Sequence, residues 1–144
     1  MYLVSFKTWK LQLVQNAAAR VLTRNLWKAH MRSILQQLHW LPVEFRIRFK
    51  VLVLTFKAIR GPDPAYLRDR LSPYLPRRTL RSSGANLLEI PSHQDIRLAP
   101  TRARAFSALA PAWWNELPSE IRALKELSQF RRACKTALSR QAFN

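Results

Sequence analysis

Cysteine is nearly missing from this chain: Cys134 stands alone among 144 residues, so no internal disulfide can form. That usage fits a reducing compartment. Glycine is almost as scarce, with Gly61 and Gly84 only, too few for a loop that cradles phosphate through backbone N–H groups. Acidic side chains number eight, no two of them adjacent, where a two-metal phosphoryl-transfer site needs convergent carboxylates. Asp63 with Asp69, or Glu116 with Glu120, are pairs on paper; caps and surface charges account for them more simply. His30, His39 and His93 are scattered, with no second cysteine and no His-Glu helix motif, which argues against zinc. No apolar run reaches the roughly 18–20 residues of a membrane span. The opening MYLVSFK has too short an apolar run for a secretory leader.

What is abundant is positive charge. The 25 Lys and Arg give a formal net charge of +17. A field of that strength favours a polyanionic partner, nucleic acid first and an anionic membrane surface second. Hydrophobic residues make up 48% of the chain, with five Trp and seven Phe, which a disordered basic tail would lack. The chain therefore reads as a single folding domain, or a piece of one.

The patterning is helical. In residues 8–24, Leu11, Val14, Ala17, Ala18, Val21 and Leu22 form one stripe, with Gln12, Asn16, Arg20 and Thr23 opposite. A shorter helix over 29–38 runs through Met31, Ile34, Leu35 and Leu38, and HWLP breaks it. From Pro42, a natural helix start, to the stop at Gly61-Pro62 the chain is uninterrupted. On a wheel, Phe45, Phe49, Leu52, Phe56 and Ile59 form one apolar stripe; Ile47, Val51, Leu54 and Ala58 form another. Arg46, Lys50 and Lys57 lie in one polar gap, and Glu44, Arg48 and Thr55 in the other. The expectation is a central helix packed on two sides; a basic strand over 44–51 is the alternative.

Asp63 and Pro64 suit the start of a short helix in DPAYLRDRL. The stretch SPYLPRRTLRSSGAN predicts a basic loop, LLEIP a short strand, and SHQDIRLAPTR irregular chain. ARAFSALA predicts a helix and PAWWNELP a Pro-bracketed turn. SEIRALKEL and SQFRRACKTALSRQAF follow as helices with Ser119 and Ser128 as N-caps. The last helix puts Phe130, Ala133, Cys134, Ala137 and Leu138 on one face, which makes Cys134 a buried thiol; Arg131, Arg132 and Lys135 form the other face.

The candidate binding residues are Arg77, Arg78 and Arg81 in the loop, Arg102 and Arg104, and Arg131, Arg132 and Lys135. Guanidinium groups take phosphate bidentately, and arginine without base-reading side chains suits backbone contact. The plain alternative is a solvated face. Trp40, Trp113 and Trp114 suit a core better than a base-stacking platform, and of the adjacent pair one should be less buried.

The order of five blocks is familiar. LQLVQNAAARVLT, LHWLPVEFRIRFKVLVLTFKAIRGPDPAYL, YLPRRTLRSS, RAFSALAPAWWNELPSEIR and LSQFRRACKTALSRQAF resemble the C-terminal region of reverse transcriptases from LINE-type, non-LTR retrotransposons. The resemblance covers nearly everything after about residue 10 and implies the thumb and the segment beyond it. That part would grip template RNA and the primer–template duplex. The polymerase motifs with their paired aspartates, and the endonuclease, are absent from this sequence; residues 1–7, RNLWKAHM and SHQDIRLAPTRARAF depart from the pattern.

The resulting expectation is a mainly α, small irregular helical domain. It has an atypical extension at 1–7, a helical part at 8–71, a basic loop and irregular segment at 72–102, and C-terminal helices at 103–144. Its function would be non-catalytic, cofactor-free binding of RNA or an RNA/DNA hybrid, with duplex DNA also compatible and no small-molecule substrate. It would be intracellular, nuclear or cytoplasmic. The rivals are a transposon-derived fragment with no independent function, and a basic amphipathic binder of anionic membrane surfaces.

Overall fold

The computed structural model describes residues 5–24, 30–61, 65–76, 86–91 and 106–144. Over these the protein is mainly helical, as the patterning implies. The helices are α1 (Ser5–Thr23), α2 (Met31–Gln37), α3 (Val43–Arg60), α4 (Ala65–Arg68), α5 (Phe106–Asn115), α6 (Ser119–Ala123) and α7 (Leu127–Phe143). The chain divides into two compact units, Met1–Phe49 with Lys135–Asn144, and Lys50–Cys134.

In the first unit α1 packs on α2. Ala19, Ile34 and Leu35 are buried together, and Met31, Leu38, Trp40 and Phe143 pack against them. Trp40 is thus half-buried against this core, on the side its apolar neighbours suggest. The apolar stripe of α1 behaves otherwise. Leu11, Val14, Val21 and Leu22 are exposed, Val14 at 68% and Val21 at 71%, while Gln15 and Ala19 are buried. The polar side of α1 turns inward because the segment before α3 needs partners. Gln15 Nε2 donates to the Leu41 carbonyl at 2.8 Å, and the Val43 N–H donates to Gln12 Oε1 at 2.9 Å. Gln12 Nε2 in turn donates to Gln15 Oε1 and Asn16 Oδ1, both at 2.9 Å. Buried backbone groups left without partners are costly, and here two glutamines supply them.

α2 ends earlier than Pro42 requires. His39 adopts a left-handed conformation (φ 53°), its N–H donates to the Gln36 carbonyl at 3.0 Å, and the Trp40 N–H reaches Leu35 O at 2.8 Å. This paired closure is a Schellman motif with histidine where glycine is usual. Pro42 then opens α3, its carbonyl accepting from the Arg46 N–H at 3.0 Å.

α3 is a continuous helix, so the strand alternative for 44–51 is set aside. Its buried residues are Leu52, Thr55, Phe56 and Ala58. Thr55, in a polar gap of the wheel, enters the interior because its hydroxyl donates to the Val51 carbonyl at 2.9 Å. Ile59, assigned to an apolar stripe, is exposed. At Gly61 the N–H donates to Lys57 O at 2.7 Å, and an added Cβ would fall 2.8 Å from the same oxygen. The glycine stop is therefore one of close approach rather than of unusual φ.

In the second unit Phe130 stacks on Phe56 (centroids 4.4 Å apart) and on Trp114 (5.7 Å). The helix and the aromatic turn expected around Pro111 are one helix, α5. Pro111 is buried inside it, and Trp114 follows it into the interior. Burial of that ring and of Trp114 offsets the lost backbone bond. Trp113, a position earlier on the helix, is half-buried, as expected of adjacent residues. Trp114 Nε1 donates to Asn86 O at 2.8 Å. Asn115 clasps Leu88 from both sides, its Oδ1 accepting from the N–H at 2.9 Å and its Nδ2 donating to the carbonyl at 2.8 Å. The strand expected in LLEIP is reduced to a single bridge between Pro73 and Leu88. A side-chain amide occupies Leu88's backbone groups where a neighbouring strand would otherwise pair.

The caps also differ. Pro118, not Ser119, precedes α6, with no side-chain cap bond. Leu124 is extended (ψ 140°), which separates α6 from α7. Ser128 lies inside α7, its hydroxyl bonded to the Glu126 carboxylate. The proposed cap Asp63 and the Pro64 beside it lie outside the described residues. No described helix is long and apolar enough to cross a membrane.

Candidate phosphate-binding surfaces

Five of the eight expected contact residues, Arg77, Arg78, Arg81, Arg102 and Arg104, lie outside the described residues. The other three are on α7. Arg131, Arg132 and Lys135 are exposed, whereas Phe130, Cys134 and Leu138 are buried. Period 3.6 does this: the apolar residues recur at spacings of four, and the bases fill the positions between. Arg131 and Lys135, four residues apart, share one face of the helix. Such a face offers phosphate a row of donors on a rigid element. Cys134 lies within the apolar side as a buried thiol.

The structure adds a second group of bases. At the carboxyl end of α3, Arg68 Nε donates to Ala58 O at 3.2 Å and its Nη2 to Gly61 O at 2.7 Å. Arg60, in the last turn of α3, donates from Nη2 to the Arg122 carbonyl at 3.0 Å. Arg122 itself is buried, and its Nε and Nη1 have no hydrogen-bond partner. Burial holds the Arg122 guanidinium below its ordinary pKa, because the charged form loses water. The carbonyl ends of a helix attract cations, which accounts for Arg68 and for a base in the last turn of α3. A base next to Gly61 was a readable signal for Arg60. Nothing in the spacing of SEIRA marks Arg122 for the interior.

Among the described residues no three His, Cys, Asp or Glu side chains are grouped so as to hold a metal ion. A shallow cavity of about 430 Å³ is lined by Pro73, Tyr74, Leu75 and Glu89, with one carboxylate and no base among its walls. No known protein-family model, curated protein or solved structure matches this chain.

Proposed function

We propose that this protein is a non-catalytic nucleic-acid-binding helical domain, similar to the C-terminal region of a LINE-type reverse transcriptase, that grips RNA or an RNA/DNA hybrid through phosphates. The observation that carries the reading is the division of α7: Phe130, Cys134 and Leu138 are buried while Arg131, Arg132 and Lys135 face water. Arg131 and Lys135 are exposed on one helix face at a fixed spacing, where a polyphosphate can meet them. The net charge of +17 and the five ordered sequence blocks support the same reading. Contacts of this kind position a backbone and carry no sequence preference. Catalysis would belong to polymerase and endonuclease parts outside this sequence.

The test is a binding assay of single-stranded RNA, duplex DNA and hybrid, with Arg77/Arg78/Arg81→Ala beside the parent. Binding to RNA and hybrid that weakens in the variant, without change of sequence preference, is the expected result. Equal binding of a neutral polymer would defeat the proposal.

The outward apolar stripe of α1 favours a second reading, a fragment that lacks independent function because a partner surface is missing. Leu11, Val14, Val21 and Leu22 are all exposed along this helix, and exposed apolar patches mark interaction surfaces. Strong dye binding with a non-cooperative melt supports this reading, and a sharp two-state transition without dye binding rejects it.

A further inference from the structure

α3 is packed along most of its circumference. Leu52, Thr55, Phe56 and Ala58 are buried, and the apolar positions on either side of them are half-buried. Of the two polar gaps on the wheel, the one with Thr55 turns inward and the one with Arg46, Lys50 and Lys57 turns outward. Arg46 and Lys50 are exposed, Lys57 is half-buried, and the exposed Arg60 continues their line. At 100° per residue these four bases fall within an arc of about 80°. The arc's fifth residue, Val53, is half-buried and uncharged. Glu44, the one acid of α3, and the exposed Ile59 fall on the other side of the helix. At 1.5 Å of rise per residue the row from Arg46 to Arg60 runs about 21 Å, with Lys50 about 6 Å and Lys57 about 16.5 Å along it. The outward ridge of α3 is therefore a straight line of cations on a rigid element.

We propose that this ridge is a binding track for a single-stranded polynucleotide, whose backbone runs along α3 over Arg46, Lys50, Lys57 and Arg60. The inference rests on the nucleic-acid reading and adds to it a second surface and the form of the ligand. Successive cations stand at axial steps comparable to the Debye length of about 8–10 Å, so they repel one another until a polyanion lies across them. The strands of a duplex wind about its axis, and their phosphates leave a straight row within part of a turn. A single strand has free backbone torsions and can follow the whole row. The long Lys and Arg stems let each charged head settle on a phosphate, which gives contact without base reading. Arg60 Nη2 donates to the Arg122 carbonyl at 3.0 Å, which holds that end of the row in place.

The experiment measures binding of the whole chain to unstructured poly-uridine RNA and to duplex DNA over a chloride series. The parent is compared with Lys50→Gln/Lys57→Gln, a change that keeps helix-favouring side chains and leaves Arg60 on its carbonyl. RNA binding weakens in the variant, and its log–log salt slope flattens by about 1.4, at roughly 0.7 per lost contact. The duplex slope stays at the parent value. Lys50→Arg/Lys57→Arg keeps the parent slope on RNA, which separates lost charge from disturbed packing. Lys10→Gln/Arg20→Gln removes the same charge from exposed positions of α1 and also keeps the parent slope. An unchanged RNA slope in Lys50→Gln/Lys57→Gln overturns the proposal. Equal flattening in the α1 variant overturns it too, because the field of the whole chain then suffices, and equal flattening on the duplex overturns the single-strand assignment. A parent that binds RNA without salt dependence, or not at all, fails the nucleic-acid reading itself; a salt-dependent parent with an unchanged α3 variant fails the α3 track alone.

Discussion

His39 and Gly61 illustrate how much a single residue decides here. His39 closes α2 from a left-handed conformation that a Cβ disfavours. Substituting His39→Gly removes that penalty, and urea unfolding should show a gain of about 0.5–1 kcal/mol. Gly61 is the opposite case. A methyl group there meets the Lys57 carbonyl at 2.8 Å, and the neighbour is backbone that cannot swing aside. Gly61→Ala should lower stability by about 1–3 kcal/mol in the same measurement. Arg122 carries the corresponding electrostatic lesson: burial lowers its pKa, because the charged form loses water.

At the scale of elements, α1 reverses the usual relation between pattern and burial. Its apolar stripe faces out, and Gln12 and Gln15 face in to serve Val43 and Leu41. Gln15→Ala orphans a buried carbonyl and should cost about 1–3 kcal/mol, whereas Val14→Gln should stay within about 0.5 kcal/mol of the parent. Comparable losses at both positions would show that the stripe is the packed face after all. The helix over 43–60 was legible because Pro42 and Gly61 punctuate it and its pattern fits no strand of that length. The direction of α1 was not legible, because periodicity reveals that two faces differ and is silent on long-range backbone bonds. α5 departs from the local pattern at Pro111 for a related reason: propensity favours a break there, and burial of Pro111 and Trp114 overrides it. The α7 bases followed directly from spacing. Arg122 did not, since its burial depends on packing that five residues of local sequence do not encode.

At the scale of the whole molecule, the excess of cations over carboxylates is the dominant physical fact. Arg60 and Arg68 spend part of their donors on carbonyls, whereas Arg131 and Lys135 lie exposed on one helix face. Replacing Arg131 and Lys135 together by alanine should weaken RNA binding and flatten its salt dependence by about 1.5 in log–log slope, at roughly 0.7–0.9 per phosphate contact. The fold should be untouched, because both side chains project from the solvated side of α7. The most direct test of the central claim is the salt dependence of binding by the unmodified chain, measured by filter retention or anisotropy over a series of chloride concentrations. With about five phosphates engaged, log K should fall against log salt with a slope of roughly −3.5 for single strands to −4.5 for duplex. A slope near zero would contradict the account.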